Sequence, residues 1–251
     1  MSGEAEVLEL PGGGRALFTG RAQGNLSSVG GAGAAHGLRA RERLRAQLGV
    51  DHLIRGYQVH GTVVGRVFDA SGRPSPSGGL RPEDDPGSIC RGALGPDGER
   101  RPSFEADGHA VAAKGVAAMV LTADCIPVVL GADGAVAALH AGWRGLAAGV
   151  LEEGVRALRE VGGGGEARAI VGPCAGACCY EVGEEVHAAL GDAHRAGRLI
   201  DLRAIAHERL LAAGVVQVRH LKACTICDEH YFSYRREGTE AGRQAGLAWL
   251  S

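Results

Sequence analysis

The chain has 251 residues, 45% of them hydrophobic and 22% charged, and carries a formal charge of −2 at pH 7. These are the values of an ordinary soluble globular protein with enough length for one large core. Such a charge gives no general attraction for nucleic acid or an acidic membrane, and no apolar run approaches the length of a membrane span.

Aromatics are only 4% while glycines number 42, so the core has to be built from Ala, Val and Leu with backbones close together. The acidic start, Met1 to Leu8, does not read as a signal peptide. Seven cysteines is an odd count, and a cytoplasmic chain with reduced thiols is expected.

In chain order, Arg15 to Thr19 predicts a strand, followed by a turn at Gly20 to Asn25. The small residues from Gly30 to Gly37 predict a surface loop, and Leu38, Leu44 and Leu48 mark a helix that stops at Gly49. Two β-rich runs, His52 to Val59 and Thr62 to Phe68, are divided by His60-Gly61. Residues 69–105 are rich in Pro, Gly and charge, the composition of a flexible insertion loop within a single domain spanning 1–251. Three apolar runs follow, Val116 to Leu121, Pro127 to Leu130 and Ala135 to Leu139, and read as buried strands. Leu146, Val150, Leu151, Val155 and Leu158 line one face of a helix over Leu146 to Val161. Beyond it come a strand at Ala167 to Val171, a helix from near Glu181 to Leu190, and an Asp201-capped helix to Ala213. A strand at Val215 to Val218, a polar turn over Cys224 to Arg236 and a sheet-edge strand at Leu247 to Leu250 complete the chain. Strands and helices mix without strict alternation, which favours layered α/β architecture over a doubly wound sheet.

Cys125 and His140 each lie in a turn beside an apolar run, and His60 divides two others. Two imidazoles and a thiolate make a three-ligand set for Zn²⁺ with a fourth position free. The same residues also read as a Cys125 nucleophile with His140 as its base, or as a copper centre with Met119 as axial ligand, although Met119 is better placed in the core. Arg144, just ahead of a helix start, is a candidate for holding an anion such as phosphate, or else it stacks on Trp143. Arg41, Arg235 and Arg236 are similar candidates. Cys224-Thr-Ile-Cys227 lacks the second pair of a zinc ribbon, since Cys174, Cys178 and Cys179 have the wrong spacing, and a packing role is expected.

Seven motifs occur together: Gln58-Val-His60-Gly-Thr, Ala106-Asp107-Gly108, Leu121-Thr-Ala-Asp-Cys125-Ile-Pro, His140-Ala-Gly-Trp-Arg-Gly145, Gly172-Pro173, Cys179-Tyr-Glu-Val-Gly183 and Phe232-Ser-Tyr-Arg-Arg236. In this order they resemble the YfiH-type laccase-domain family, also called multicopper polyphenol oxidoreductases and later assigned as purine nucleoside phosphorylases. The resemblance implies a four-layer α/β/β/α sandwich with mixed sheets and one zinc site at His60, Cys125 and His140. It implies phosphorolysis of adenosine, inosine and methylthioadenosine, with adenosine deamination beside it. Purine nucleosides and phosphate are then the partners of what is expected to be a monomer. Asp124, next to Cys125, is the candidate for moving protons; Arg144 and Arg41 are candidates for binding substrate or phosphate. Two departures stand out: residues 69–105 exceed the family's usual connection, and Ala40 replaces the Asn that commonly precedes the helix arginine, here Arg41. The copper chemistry in the older name fits poorly, because the 10 histidines include no His-x-His pair. Cu²⁺ enters as a substitute at the His₂Cys site, where a laccase-like oxidase is the alternative reading together with the Cys125 hydrolase.

Overall fold

Strands whose two faces are both apolar must be covered on both sides, and that requirement sets the layering. The computed structural model describes residues 5–27, 32–68 and 104–251. One sheet contains β1 (Val7–Glu9), β2 (Gly14–Phe18), β3 (His52–Ile54), β6 (Val116–Thr122) and β13 (Gln244–Leu250), in the order β1-β2-β13-β6-β3. The other contains β4 (Val64–Val67), β5 (Gly108–Val111), β7 (Ile126–Asp133), β8 (Ala135–Ala141), β9 (Gly164–Val171) and β12 (Val215–His220), in the order β12-β9-β7-β8-β5-β4. Both are mixed: β3 and β6 are parallel in the first, and β12–β9 and β4–β5 in the second, while the other pairs are antiparallel. Arg195–Ala196 (β10) and Leu199–Ile200 (β11) form a separate small antiparallel pair.

Alternation along the strands separates three apolar layers. In β6, Val116, Ala118 and Val120 face the second sheet, where Val129, Val136 and Ala138 meet them together with Phe18 and Ala248 of their own sheet. Ala117, Met119 and Leu121 point the opposite way, into a layer with Ala40 and Leu44 of α1 (Ala32–Leu48). Along β8, Ala135, Ala137, Leu139 and Ala141 face the far side of the second sheet. Leu146 of α2 (Trp143–Ala148), Leu151 and Leu158 of α3 (Val150–Glu160) and Leu210 of α5 (Leu202–Ala212) cover them. The order is therefore helix, sheet, sheet, helix. Two shorter helices, α4 (Glu184–Leu190) and α6 (Tyr234–Glu237), complete the set.

Several elements differ from expectation for identifiable reasons. The helix α1 begins at Ala32, inside the segment expected to be a loop, because the alanine- and arginine-rich continuation outweighs the glycines. The expected helix over 146–161 is two helices broken at Gly149, whose φ of 98° suits glycine. The last strand, β13, lies in the middle of its sheet between β2 and β6 rather than at an edge. Asp201 does cap α5, accepting from the N–H groups of Arg203 and Ala204. Of the insertion expected over 69–105, residues 69–103 lie outside the described residues. Phe104 and Glu105 pair with Tyr57.

Met119 is fully buried beside Leu247, which places it among core side chains on the α1 face of its sheet. Met119→Ala is expected to cost about 2–5 kcal/mol by leaving a cavity. Chemical denaturation should show this as a lower midpoint, with metal content unchanged.

Candidate metal centre

Ala123-Asp124-Cys125 carries the chain from β6 in the first sheet to β7 in the second. In the β7–β8 ladder Ile126 is opposite Ala141 and Pro127 opposite His140, so the register sets Cys125 beside the end of β8. His60 arrives from the bend between β3 and β4. That bend is docked by Gln58, whose side-chain amide donates to the Leu121 carbonyl (2.7 Å) and accepts from the Leu121 N–H (2.8 Å). Gln58 thus does for the end of β6 what a neighbouring strand would do.

The ligand atoms of His60, Cys125 and His140 all lie within 4.8 Å of one another. Cys125 Sγ is 3.7 Å from His60 Nε2, and the two imidazoles meet edge to face at 4.8 Å between centroids. Gly142 makes room for this approach. A Cβ there would stand 2.5 Å from His60 Cδ2 and 3.2 Å from Cys125 Sγ.

Asp107, fully buried at the start of β5, ties the centre together. Its carboxylate accepts His140 Nδ1–H at 2.7 Å and the backbone N–H groups of Val59 (3.2 Å), His60 (3.0 Å) and Gly61 (2.7 Å). His60 has a φ of 61°, a left-handed conformation that costs a non-glycine residue on the order of 1–2 kcal/mol. Charge-assisted hydrogen bonds of about 1.5–3 kcal/mol each are enough to hold it. Because Nδ1 of His140 is occupied by Asp107, Nε2 is the atom presented to Cys125 and to a metal, the arrangement in which a carboxylate orients a metal-binding histidine.

The electrostatics follow from this packing. Burial opposes charge on all three groups, yet each is held in its charged form by the others. Asp107 stays below the usual carboxylate range because His140 and the backbone N–H groups outweigh its desolvation. Burial would raise the Cys125 thiol, but His140 and His60 bring it down to about 6. Burial would lower His140, but Cys125 and Asp107 raise it to about 9. Both shifts favour the thiolate–imidazolium form of the pair. Two imidazoles and a thiolate this close suit a thiophilic divalent ion such as Zn²⁺ or Cu²⁺.

The other candidate residues are placed differently. Asp124 lies in Cys125's own loop, immediately before it, and its side chain is bonded to other segments. Its carboxylate accepts from Thr225 Oγ1 (2.7 Å), Ser233 Oγ (3.1 Å) and the Arg235 N–H (2.7 Å). Its left-handed backbone, at a φ of 90°, and its carbonyl, which accepts the Ala175 N–H at 2.9 Å, make it a hub for two loops. Arg144 is exposed with its guanidinium 4.2 Å from the centre of the Trp143 ring. Arg41 is buried on α1, where its Nε donates to the Leu26 carbonyl at 2.7 Å. Arg235 lies over the Tyr180 ring at 4.8 Å and donates to the Glu181 carbonyl. Arg236 is engaged with the carbonyls of Thr225 and Ile226. Asp107, Gln58 and Gly142 were legible only as members of motifs; nothing in their spacing assigned them a task.

This fold and site define a class: a four-layer α/β/β/α protein with a His₂Cys centre where its two sheets open. The model of the family described as multi-copper polyphenol oxidoreductase laccase matches residues 17–251, and the chain belongs to that YfiH-type family. A Xylella fastidiosa purine nucleoside phosphorylase is 38% identical over 247 residues, covering 90% of this chain and 84% of that protein. The Escherichia coli purine nucleoside phosphorylase YfiH is 40% identical over 166 residues, covering 61% and 67% respectively. Among solved structures, a Neisseria meningitidis protein aligns with a TM-score of 0.75 at 30% identity, over 98% of this chain and 99% of that one. The Bacillus licheniformis YfiH protein shares the fold at a TM-score of 0.78 and 21% identity, over 100% and 97%. Among the described residues no helix is long and apolar enough to cross a membrane.

Asp107→Asn is expected to weaken metal binding by about 10–100-fold, read by competition with a chelator. In metal-stripped protein, alkylation of Cys125 followed by peptide mass spectrometry should reach half its maximal rate near pH 6. The rate should fall as the thiolate is protonated below that pH, and metal loading should protect the residue.

Proposed function

We propose that this chain is a zinc-dependent purine nucleoside phosphorylase acting on adenosine, inosine and methylthioadenosine, with adenosine deamination as a side activity. The observation that carries this reading is the single His60, Cys125 and His140 centre, oriented by Asp107, in a chain whose relatives bear the name purine nucleoside phosphorylase. The same reading takes the protein to be a one-domain cytoplasmic monomer.

A Zn²⁺ held by these three residues would supply Lewis acidity at a fourth, open position. The remaining work belongs to the chain. Asp107 fixes the His140 ring and tautomer, so that Nε2 keeps its lone pair for the ion. Gly142 keeps the mouth clear of a side chain. Arg144, exposed beside the centre's own turn, and Arg235, next to the Asp124 hub, are the guanidinium groups we assign to the phosphate. In phosphorolysis an oxygen of that phosphate forms the bond to C1′ of the ribose as the bond from C1′ to the purine nitrogen breaks. The bonding pair ends on the base, which gains the proton that the attacking hydrogen phosphate gives up. Since Asp124 already accepts three hydrogen bonds, we assign it to holding Cys125's loop rather than to proton transfer. Arg41, bonded to Leu26, is assigned to anchoring the segment after β2.

Purified zinc-loaded protein given adenosine and phosphate should release adenine and ribose 1-phosphate, with inosine as the product of deamination. Both activities should fall by at least about 10²-fold in Cys125→Ser, together with the metal of this centre. Absence of any purine product from the zinc-loaded enzyme would overturn the proposal.

One observation favours a second reading: Cys125, His140 and Asp107 also have the connectivity of a nucleophile, base and orienting carboxylate. A Cys125 hydrolase would keep its activity through chelation and lose it on alkylation. The zinc reading forecasts loss on chelation and recovery on adding Zn²⁺. For copper chemistry of the multicopper type, all ten histidines lie among the described residues, and among those residues the sole group of three or more metal-binding side chains that includes histidine is this one. His207 and His220 pair at 2.8 Å but have no third ligand in reach among the described residues. Copper would then act as a substitute for zinc at one mononuclear site.

A further inference from the structure

Outside the His₂Cys centre, the fold gathers a second set of metal-binding side chains. The sulfurs of Cys178, Cys179, Cys224 and Cys227 all lie within 4.8 Å of one another. From spacing alone, Cys224-Thr-Ile-Cys227 had no second pair, and that expectation does not survive folding. The partner pair is the adjacent Cys178-Cys179, which the parallel bridge between Cys174 and Cys224 brings alongside. We propose that these four cysteines form a second metal site in this protein, a closed tetrathiolate that holds one Zn²⁺.

The spacing fits a mononuclear ion. Zinc–sulfur bonds of about 2.3 Å in a tetrahedron place the sulfurs about 3.8 Å apart. Here Cys178 Sγ and Cys179 Sγ lie 3.5 Å and 2.9 Å from Cys227 Sγ, and no pair exceeds 4.8 Å. The group is too tight to enclose an iron–sulfur cluster, whose irons and sulfides would fill the space between the thiolates. A disulfide would consume two of the sulfurs and leave the other two as closely packed thiols without a purpose.

Two further features belong to a thiolate site. The backbone N–H of Gly176 donates to Cys224 Sγ at 3.2 Å. Gly176 is also tightly enclosed by the cluster. A Cβ there would lie 3.1 Å from Cys224 Cβ and 3.3 Å from the sulfurs of both Cys178 and Cys224. Cys174 stands apart: it is buried, receives a hydrogen bond from Arg203 at 3.3 Å, and burial pushes its thiol up to about 11.

With four protein ligands the site has no open position, so its role is structural. It would join the loop after β9 to the loop after β12. These loops supply Asp124 with its partners: Ala175 N–H to its carbonyl, and Thr225 and Ser233 to its carboxylate. The ion would thereby brace the turn that presents Cys125, without taking part in chemistry.

The test is a metal count on full-length protein purified in reductant, using Zn²⁺ alone and native mass spectrometry. Wild type should carry two zinc ions, Cys125→Ser one and Cys125→Ser/Cys227→Ser none. Cobalt substitution of Cys125→Ser should give the intense absorption of a tetrahedral tetrathiolate, and Cys227→Ser or Cys178→Ser should remove it. Zinc-free Cys125→Ser protein would overturn the inference whatever the behaviour of the other variants. So would a Cys179–Cys227 disulfide persisting in reductant, or metal in the double variant equal to that of Cys125→Ser. The count in Cys125→Ser is independent of nucleoside turnover, so failure of the purine reading leaves this result intact.

Discussion

The buried carboxylate of Asp107 is the interaction on which the rest of the centre depends. It is a charge placed inside the protein, which is costly unless every lone pair is used. Three consecutive backbone N–H groups and one imidazole use them. In return, the carboxylate holds His60 in a left-handed conformation and sets the tautomer of His140. Two histidines that come from unrelated parts of the chain are thus aimed by one side chain. Deleting that charge would release both, whereas loss of an outer hydrogen bond such as that of Gln58 would loosen only one.

The sandwich supplies the stiffness this arrangement requires. Asp107 and His140 are neighbours because β5 and β8 are paired, with the His140 N–H donating to the Asp107 carbonyl at 2.7 Å. Cys125 joins them because β7 is the other neighbour of β8. The centre therefore sits where a tightly packed ladder ends and its loops begin. Backbone close to backbone is the rule here, which is why glycine at 142 tolerates no substitute of ordinary size. The high glycine and low aromatic content has its structural meaning in these approaches.

Asp124 plays the corresponding part on the other side of Cys125. Its strained backbone turns the chain between the two sheets, and its carboxylate collects a threonine, a serine and a backbone amide from the C-terminal loop. A residue next to a ligand in sequence thus has its carboxylate bonded to a different segment, the loop after β12.

Much of this protein was determined by local pattern. The apolar runs at Val116, Pro127 and Ala135 read as buried strands, Asp201 read as a helix cap, and the trio of His60, Cys125 and His140 stood out as residues at the ends of such runs. Their motifs resembled one family, and that resemblance covered fold and metal together. What the tertiary structure alone decided is everything that rests on pairing between distant segments. It placed β13 at the centre of a sheet rather than its edge, because only strand partners distinguish the two. It set Asp107 beside His140 and gave the Asp124 carboxylate three donors from the C-terminal loop, because a carboxylate's surroundings are assembled only when distant segments meet. It also brought Cys178 and Cys179 to Cys224 and Cys227. No spacing rule covers ligands contributed by two loops whose proximity is created by the parallel pairing of β9 and β12.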